Sequence, residues 1–123
     1  MMKWSWLFDS RTQWLGFALG ALIVLLGTLM PASSLGSPPG SDKLHHILGF
    51  GCWAGLCAFG PSKRFYSLAI LIVFAGGLIE IIQPYVNRYG DWYDFLADAV
   101  GVALACVFHL IVCFFKKRGT DTA

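Results

Sequence analysis

Charged residues are scarce in this 123-residue chain, since Asp, Glu, Lys and Arg together make up only 13% of it. Soluble domains carry about 25% charged and about 45–50% apolar residues, whereas 57% of this chain is apolar. The formal net charge is only +2, and no stripe of Lys and Arg alternates with aromatic residues as in nucleic-acid-binding proteins. The composition therefore excludes an ordinary soluble domain and gives no reason to expect a nucleic-acid partner.

Cysteine motifs and catalytic signatures are also missing. No CxxC spacing occurs and no histidine stands at zinc-finger distance, while all four cysteines fall within apolar runs: Cys52, Cys57, Cys106 and Cys113. We interpret them as buried, reduced thiols that pack like small hydrophobic side chains. Neither HExxH nor GxSxG is present, so no motif assigns a metal ligand, a cofactor or a catalytic residue.

Four apolar segments predict four helices, at about residues 14–30, 44–59, 65–82 and 92–115. A bilayer core about 30 Å thick requires roughly 17–25 helical residues, which the first, third and fourth segments supply. The second segment is marginal in length but lies between two better spans. The 17-residue first segment is longer than the apolar part of a signal peptide, which favours an uncleaved helix. We expect a single all-α domain over residues 1–123, an integral membrane four-helix bundle.

The charges around these segments predict the orientation of the bundle. Seven of the nine Lys and Arg residues lie before the first segment, between the second and third, or after the fourth. By the positive-inside rule, both termini then face the cytoplasm and two short loops face outward. Five of the seven acids fall at the outer end instead: Asp42, Glu80, Asp91, Asp94 and Asp98.

Polar residues from three segments therefore meet at the outer end of the predicted bundle. Asp42 and Asp91 have an ordinary structural explanation, because each stands where a helix N-cap is expected. Glu80 does not, since it lies near the negative end of its helix among apolar neighbours and needs a partner such as Lys43, His45 or Arg88. Asp98 is similarly deep, and ionisable residues inside membrane segments indicate a functional site.

These residues also form an ordered set of motifs: Asp42-Lys43-Leu44-His45, then Glu80-x-x-Gln83, then Arg88 followed by Asp94-x-x-x-Asp98 and Gly101. Over about residues 30–110, the order and spacing resemble the VanZ-like family of small bacterial membrane proteins. The sequence departs from that pattern at His46, where an aromatic residue is commoner, and at Asp98, where asparagine is common. The resemblance implies a functional polar cluster of eight residues: Asp42, Lys43, His45, Glu80, Gln83, Arg88, Asp94 and Asp98.

The resemblance further implies a multi-pass protein of the bacterial inner membrane, linked to resistance against lipoglycopeptides such as teicoplanin. We favour a non-enzymatic envelope protein, surrounded by membrane lipids, whose outer cleft binds a lipid-linked or amphipathic ligand. Lys43 and Arg88 would meet an anionic headgroup, and the ligand's tails would lie against the apolar bundle. The carboxylates would orient these cations and engage polar or amine groups: Glu80, Asp94 and Asp98. The alternative is a membrane-embedded enzyme in which His45 is the general acid or base and a divalent cation sits on Asp42, Glu80 or Asp98. An ion-coupled transporter is a third hypothesis, although the polar residues stop at one end. An accessory subunit is the fourth.

Overall fold

The structure, a computed structural model of the chain, describes residues 4–29, 42–86 and 91–121. Within these ranges the chain is all-helical, with four long helices: α1 (Ser10–Leu29), α2 (Asp42–Leu56), α3 (Ser62–Ile82) and α4 (Trp92–Asp121). Short 3-10 helices, Trp4–Phe8 and Gln83–Val86, precede α1 and follow α3. The number and order of the predicted helices are confirmed. However, α2 ends earlier than expected and α4 continues beyond residue 115.

Three helical stretches are long and apolar enough to cross a membrane, namely Ser10–Leu29, Ser62–Tyr85 and Trp92–Gly119. The α2 helix has 15 residues, which gives it a length of about 22 Å at about 1.5 Å per residue. It is therefore shorter than a bilayer core about 30 Å thick, in line with the marginal length of the second apolar segment.

Side-chain contacts show that the four helices run alternately up and down. The Gln13 side chain, near the start of α1, donates from Nε2 to the Cys57 carbonyl just after α2, at 3.0 Å. At the opposite end, Gln83 Nε2 donates to the carbonyl of Thr28 in the last turn of α1, also at 3.0 Å. We call the end that contains Thr28 and Gln83, with the starts of α2 and α4, the polar end. The other end, which carries Arg11 and three further basic positions of α3 and α4, is the basic end: Lys63, Arg64 and Lys116.

The closest approach of α2 and α4 occurs at two glycines, Gly51 and Gly101. A Cβ atom at Gly101 would lie 2.8 Å from the backbone nitrogen of Gly51 and would also meet the carbonyl oxygen of Ile47. Small residues allow such contact between helix backbones. This crossing fixes the register of the two helices, so that His46 and Asp98, which precede the two glycines, come to the same level at the polar end.

His109 performs a structural role at the basic end. It is fully buried, stacks on Phe65 with ring centroids 4.1 Å apart, and has Nδ1 2.6 Å from the Ala58 carbonyl. With Nδ1 protonated it donates to that carbonyl, and Nε2 accepts from the Ser62 hydroxyl at 2.9 Å. The imidazole thus joins α4 to the turn between α2 and α3.

Candidate functional site

A histidine and three carboxylates lie together at the polar end, and we call them the histidine–carboxylate cluster: His46, Glu80, Asp94 and Asp98. Three helices supply them, since His46 is on α2, Glu80 on α3 and the two aspartates on α4. Their side chains are buried, with exposed fractions between 0% for Asp98 and 5% for Glu80. Four ionisable groups are therefore enclosed by apolar helices, where each needs a partner to offset its lost hydration.

His46 is at the centre of this cluster. Its Nδ1 lies 2.6 Å from Oδ1 of Asp98, a hydrogen-bonding distance, and 4.0 Å from Oε1 of Glu80. On the other side of the ring, Nε2 lies 3.7 Å from Oδ2 of Asp94. The ring also stacks on Phe50, one turn further along α2, with an interplanar angle of 4°. The imidazole orientation is therefore fixed both by carboxylates and by an aromatic neighbour.

Gly76 provides the space that Asp98 occupies. A Cβ atom added at Gly76 would lie 2.8 Å from Oδ2 of Asp98 and 3.2 Å from the Phe50 ring. The Asp98 carboxylate therefore packs directly against the backbone of α3. Any larger residue at position 76 would displace it or the aromatic ring beside it.

Glu80 has a partner that the sequence did not suggest. Because Pro84 has no N–H group to donate to the Glu80 carbonyl, the helical hydrogen-bond pattern changes there, and the chain tightens into the 3-10 helix Gln83–Val86. The Glu80 carboxylate then accepts a hydrogen bond through Oε2 from the backbone N–H of Asp91, at 2.8 Å. The side chain at the negative end of α3 thus lies at the positive end of α4, where a carboxylate is favoured.

Lys43 at the start of α2 is paired with carboxylates on α4. Its Nζ lies 3.2 Å from Oδ1 of Asp94 and 3.4 Å from Oδ2 of Asp91. The hydrogen bond to Asp94 raises the pKa of Lys43 despite some desolvation. A hydrogen bond of 2.9 Å from the Tyr93 N–H to Oδ1 makes Asp91 the N-cap of α4, as predicted. That bond, with Lys43, lowers the pKa of Asp91.

The structure brings together four of the eight predicted site residues: Lys43, Glu80, Asp94 and Asp98. Gln83 is buried nearby, but its amide binds the Thr28 carbonyl and so links α3 to α1. His45 is exposed, on a different face of α2 from the cluster. Arg88 and the side chain of Asp42 lie outside the described residues.

Sequence reasoning left two residues of this site off its list, His46 and Asp91. The spacing predicts that His46 shares a helix face with Asp42 and His45, and Asp91 is one of the five acids predicted at the outer end, but neither is among the eight predicted site residues. The sequence contains one signal that favours His46 over His45. A helical stripe of apolar residues, which includes the bulky Phe50 and Trp53, shares a face of α2 with position 46 and not with position 45.

A small cavity of about 190 Å³ opens beside Glu80 at the polar end. Its lining combines two carboxylate residues with apolar side chains of α3 and α4: Glu80, Asp91, Ile81, Pro84 and Trp92. Trp92 and Ile81 are 68% and 60% exposed, so the cavity lies at the outer surface of the bundle. It can accept a group that donates hydrogen bonds or carries positive charge, with apolar surface on either side.

Comparisons of this chain with the models of known protein families, with curated proteins and with solved structures find no match in any of the three.

Proposed function

We propose that this chain is an integral protein of the bacterial inner membrane that binds an amphipathic ligand at the outer leaflet. Its surface supports insertion, because side chains such as Leu15 and Phe74 are 70% and 72% exposed. Polar side chains instead lie inside the bundle, at both of its ends: Gln13, His46, Glu80, Gln83, Asp94, Asp98 and His109. Apolar surface outside and polar side chains inside are what a lipid environment favours.

Exposed aromatic residues at both ends support the same placement. Tyr85, Trp92 and Tyr93 are 86%, 68% and 68% exposed at the polar end, and Trp6 and Trp14 are 64% and 50% exposed at the basic end. Trp and Tyr concentrate at the two interfaces of a membrane. By the positive-inside rule, the Lys and Arg side chains near the basic end favour a cytoplasmic location for that end and an outward location for the polar end.

The α2 helix returns the chain through this bundle although it is short. It is flanked by the three longer helices, and its start and finish lie at opposite ends, beside Asp94 and His109. Protein contacts can satisfy its terminal backbone groups where lipid could not. This arrangement supports four crossings with both termini in the cytoplasm.

The single observation that supports ligand binding is the cavity beside Glu80, whose mostly apolar lining also contains two carboxylate residues. The Lys43 ammonium is already paired with Asp91 and Asp94, which makes it a weak receptor for an anionic headgroup. The site better suits a ligand with an amine or another hydrogen-bond donor next to an apolar chain. A lipoglycopeptide has both features, which agrees with the function implied by the resemblance to VanZ-like proteins.

The test is teicoplanin susceptibility in a sensitive bacterial host that expresses the chain. We expect the wild type to raise the teicoplanin concentration that stops growth, and Glu80→Gln to lose that protection at a matched membrane level. Asp9→Asn is the matched control, because Asp9 is an exposed acid beyond the opposite end of the bundle. Equal protection by Glu80→Gln and the wild type would refute a role for the Glu80 cavity. No protection by either would refute the resistance function.

One observation favours a membrane-embedded enzyme as a second candidate. The buried contact of 2.6 Å between His46 and Asp98 is the arrangement of a general base with an orienting carboxylate. In this hypothesis the general acid or base is His46, and not the exposed His45 that the sequence suggests. Incubation of the purified protein with a lipid-linked cell-wall precursor, followed by mass spectrometry, tests this: turnover by the wild type and none by His46→Gln would support it.

A further inference from the structure

We propose that His46, Glu80 and Asp98 form a binding site for one divalent first-row metal ion. The three side chains come from three different helices, and each is at least nine-tenths buried. Each offers one ligand atom, and these atoms lie within 4.8 Å of one another. The proposal shares Glu80 with the cavity, but it does not depend on the amphipathic ligand or on resistance.

The spacing of the ligand atoms is close to that of a metal site. Ions such as Zn²⁺ bind nitrogen and oxygen ligands at about 2.0–2.2 Å, so two ligands of one ion are roughly 3–4 Å apart. Here Nδ1 of His46 is 4.0 Å from Oε1 of Glu80 and 2.6 Å from Oδ1 of Asp98. The separation from Glu80 is at the upper edge of that range and the separation from Asp98 is below it, so an ion bound here requires the Asp98 carboxylate to move away from Nδ1.

Two oxygens of this site lack hydrogen-bond donors. Neither Oε1 of Glu80 nor Oδ2 of Asp98 accepts a hydrogen bond from any residue within the described ranges, although both atoms are buried. Buried carboxylates are normally paired, hydrogen-bonded or coordinated to a metal. The same two carboxylates border the imidazole of His46, which points to a cation among the three.

Asp94 lies beside the second imidazole nitrogen of His46. Its Oδ2 faces Nε2 of His46 at 3.7 Å, and its Oδ1 is held by Lys43 at 3.2 Å. The hydrogen bond of 2.6 Å between Nδ1 and Oδ1 of Asp98 holds a proton, and an ion bound at Nδ1 would replace that proton. The remaining imidazole proton would then lie on Nε2, facing Asp94. Metal-bound histidines commonly have such a carboxylate on their second nitrogen.

Charge balance and ligand chemistry indicate the kind of ion. A divalent ion and the Lys43 ammonium together balance the three carboxylates of Glu80, Asp94 and Asp98, whereas a single proton would not. One imidazole with two carboxylates is a mixed nitrogen and oxygen set, which suits Mn²⁺ or Zn²⁺ better than Mg²⁺ or Ca²⁺.

The test uses the full chain, purified in detergent, stripped with a chelator and titrated with Mn²⁺ while paramagnetic resonance reports the free ion. We expect one Mn²⁺ per chain, and imidazole nitrogen coupling in the pulsed spectrum of the bound ion. His46→Gln and Asp98→Asn should weaken binding at least about 100-fold, and Asp94→Asn by about 10–100-fold, as for residues that orient a ligand. Competition with Zn²⁺ then shows which of the two ions binds more tightly.

The controls are His45→Gln, which changes the neighbouring exposed histidine, and Asp9→Asn, and both should retain wild-type affinity. Because the imidazole nitrogen coupling is measured on the wild type, it tests the proposal even if a variant fails to fold. Substoichiometric binding, bound Mn²⁺ without nitrogen coupling, or equal losses in His45→Gln and His46→Gln would each overturn the proposal. Loss of teicoplanin protection alone would not, because metal binding is measured separately.

Discussion

Gly101→Ala is the substitution that most directly tests the contact between α2 and α4. The new Cβ would lie 2.8 Å from the Gly51 nitrogen and against the Ile47 carbonyl, and both are backbone atoms that cannot rotate away. The helices must therefore separate, and overpacking of this kind costs about 1–3 kcal/mol. Alanine is also the better helix former by about 1 kcal/mol, so the net loss for Gly101→Ala alone is smaller.

Gly55→Ala is the control that separates the cost of the backbone clash in Gly101→Ala from the gain in helix propensity. A Cβ at Gly55 has nothing within 4 Å, so this variant gains propensity without a clash. The two variants should then differ by about 1–3 kcal/mol, a factor of roughly 5–150 in the unfolding equilibrium. Thermal unfolding in detergent, followed by circular dichroism, measures that difference. If Gly101→Ala is as stable as Gly55→Ala, the close backbone contact assigned to these helices is wrong.

Two further predictions concern the polar end. Gln83→Met should destabilise the bundle by about 1 kcal/mol, because it removes the hydrogen bond to the Thr28 carbonyl; unchanged hydrogen exchange at the end of α1 would contradict this. Asp91 has a pKa below its ordinary value of 3.8, so its carboxylate contributes stability that is complete above that value and is lost as pH falls further. The stability difference between the wild type and Asp91→Asn should accordingly be constant above about pH 5 and shrink below about pH 4; a difference that does not change with pH would contradict it.

Most of the fold could be predicted from the sequence because long apolar segments and their flanking breaks act locally. Pro84 marks the end of α3, and Asp91 caps α4 where the apolar segment begins. The early end of α2 was less predictable. The apolar composition continues through Ala58 and Phe59, but the turn is held by His109 from α4, a contact remote in sequence.

The site was only partly predictable because its partners depend on how the helices rotate. The sequence correctly predicts that Glu80 lies at the polar end. It suggests side-chain cations as partners of Glu80, whereas the carboxylate accepts a hydrogen bond from the backbone N–H of Asp91. It also favoured His45 over His46, since both stand in the first turns of one helix and differ only in the face they occupy. That face is selected by the Gly51–Gly101 crossing, which requires two helices to be seen together.

His46 and Asp98 are in direct contact in the structure, so the contributions of the two side chains to stability should depend on each other. His46→Phe leaves the Asp98 carboxylate, which is 0% exposed, without its hydrogen-bond partner, and removing one member of a buried pair costs about 3–5 kcal/mol. In the double variant His46→Phe, Asp98→Asn the buried group is neutral, and an unsatisfied neutral group costs only about 1–3 kcal/mol. Adding Asp98→Asn to His46→Phe should therefore restore about 2 kcal/mol, measured by unfolding all four proteins in chelator. If the effects of the two single substitutions simply add, His46 and Asp98 act independently and the proposed coupling between them is wrong.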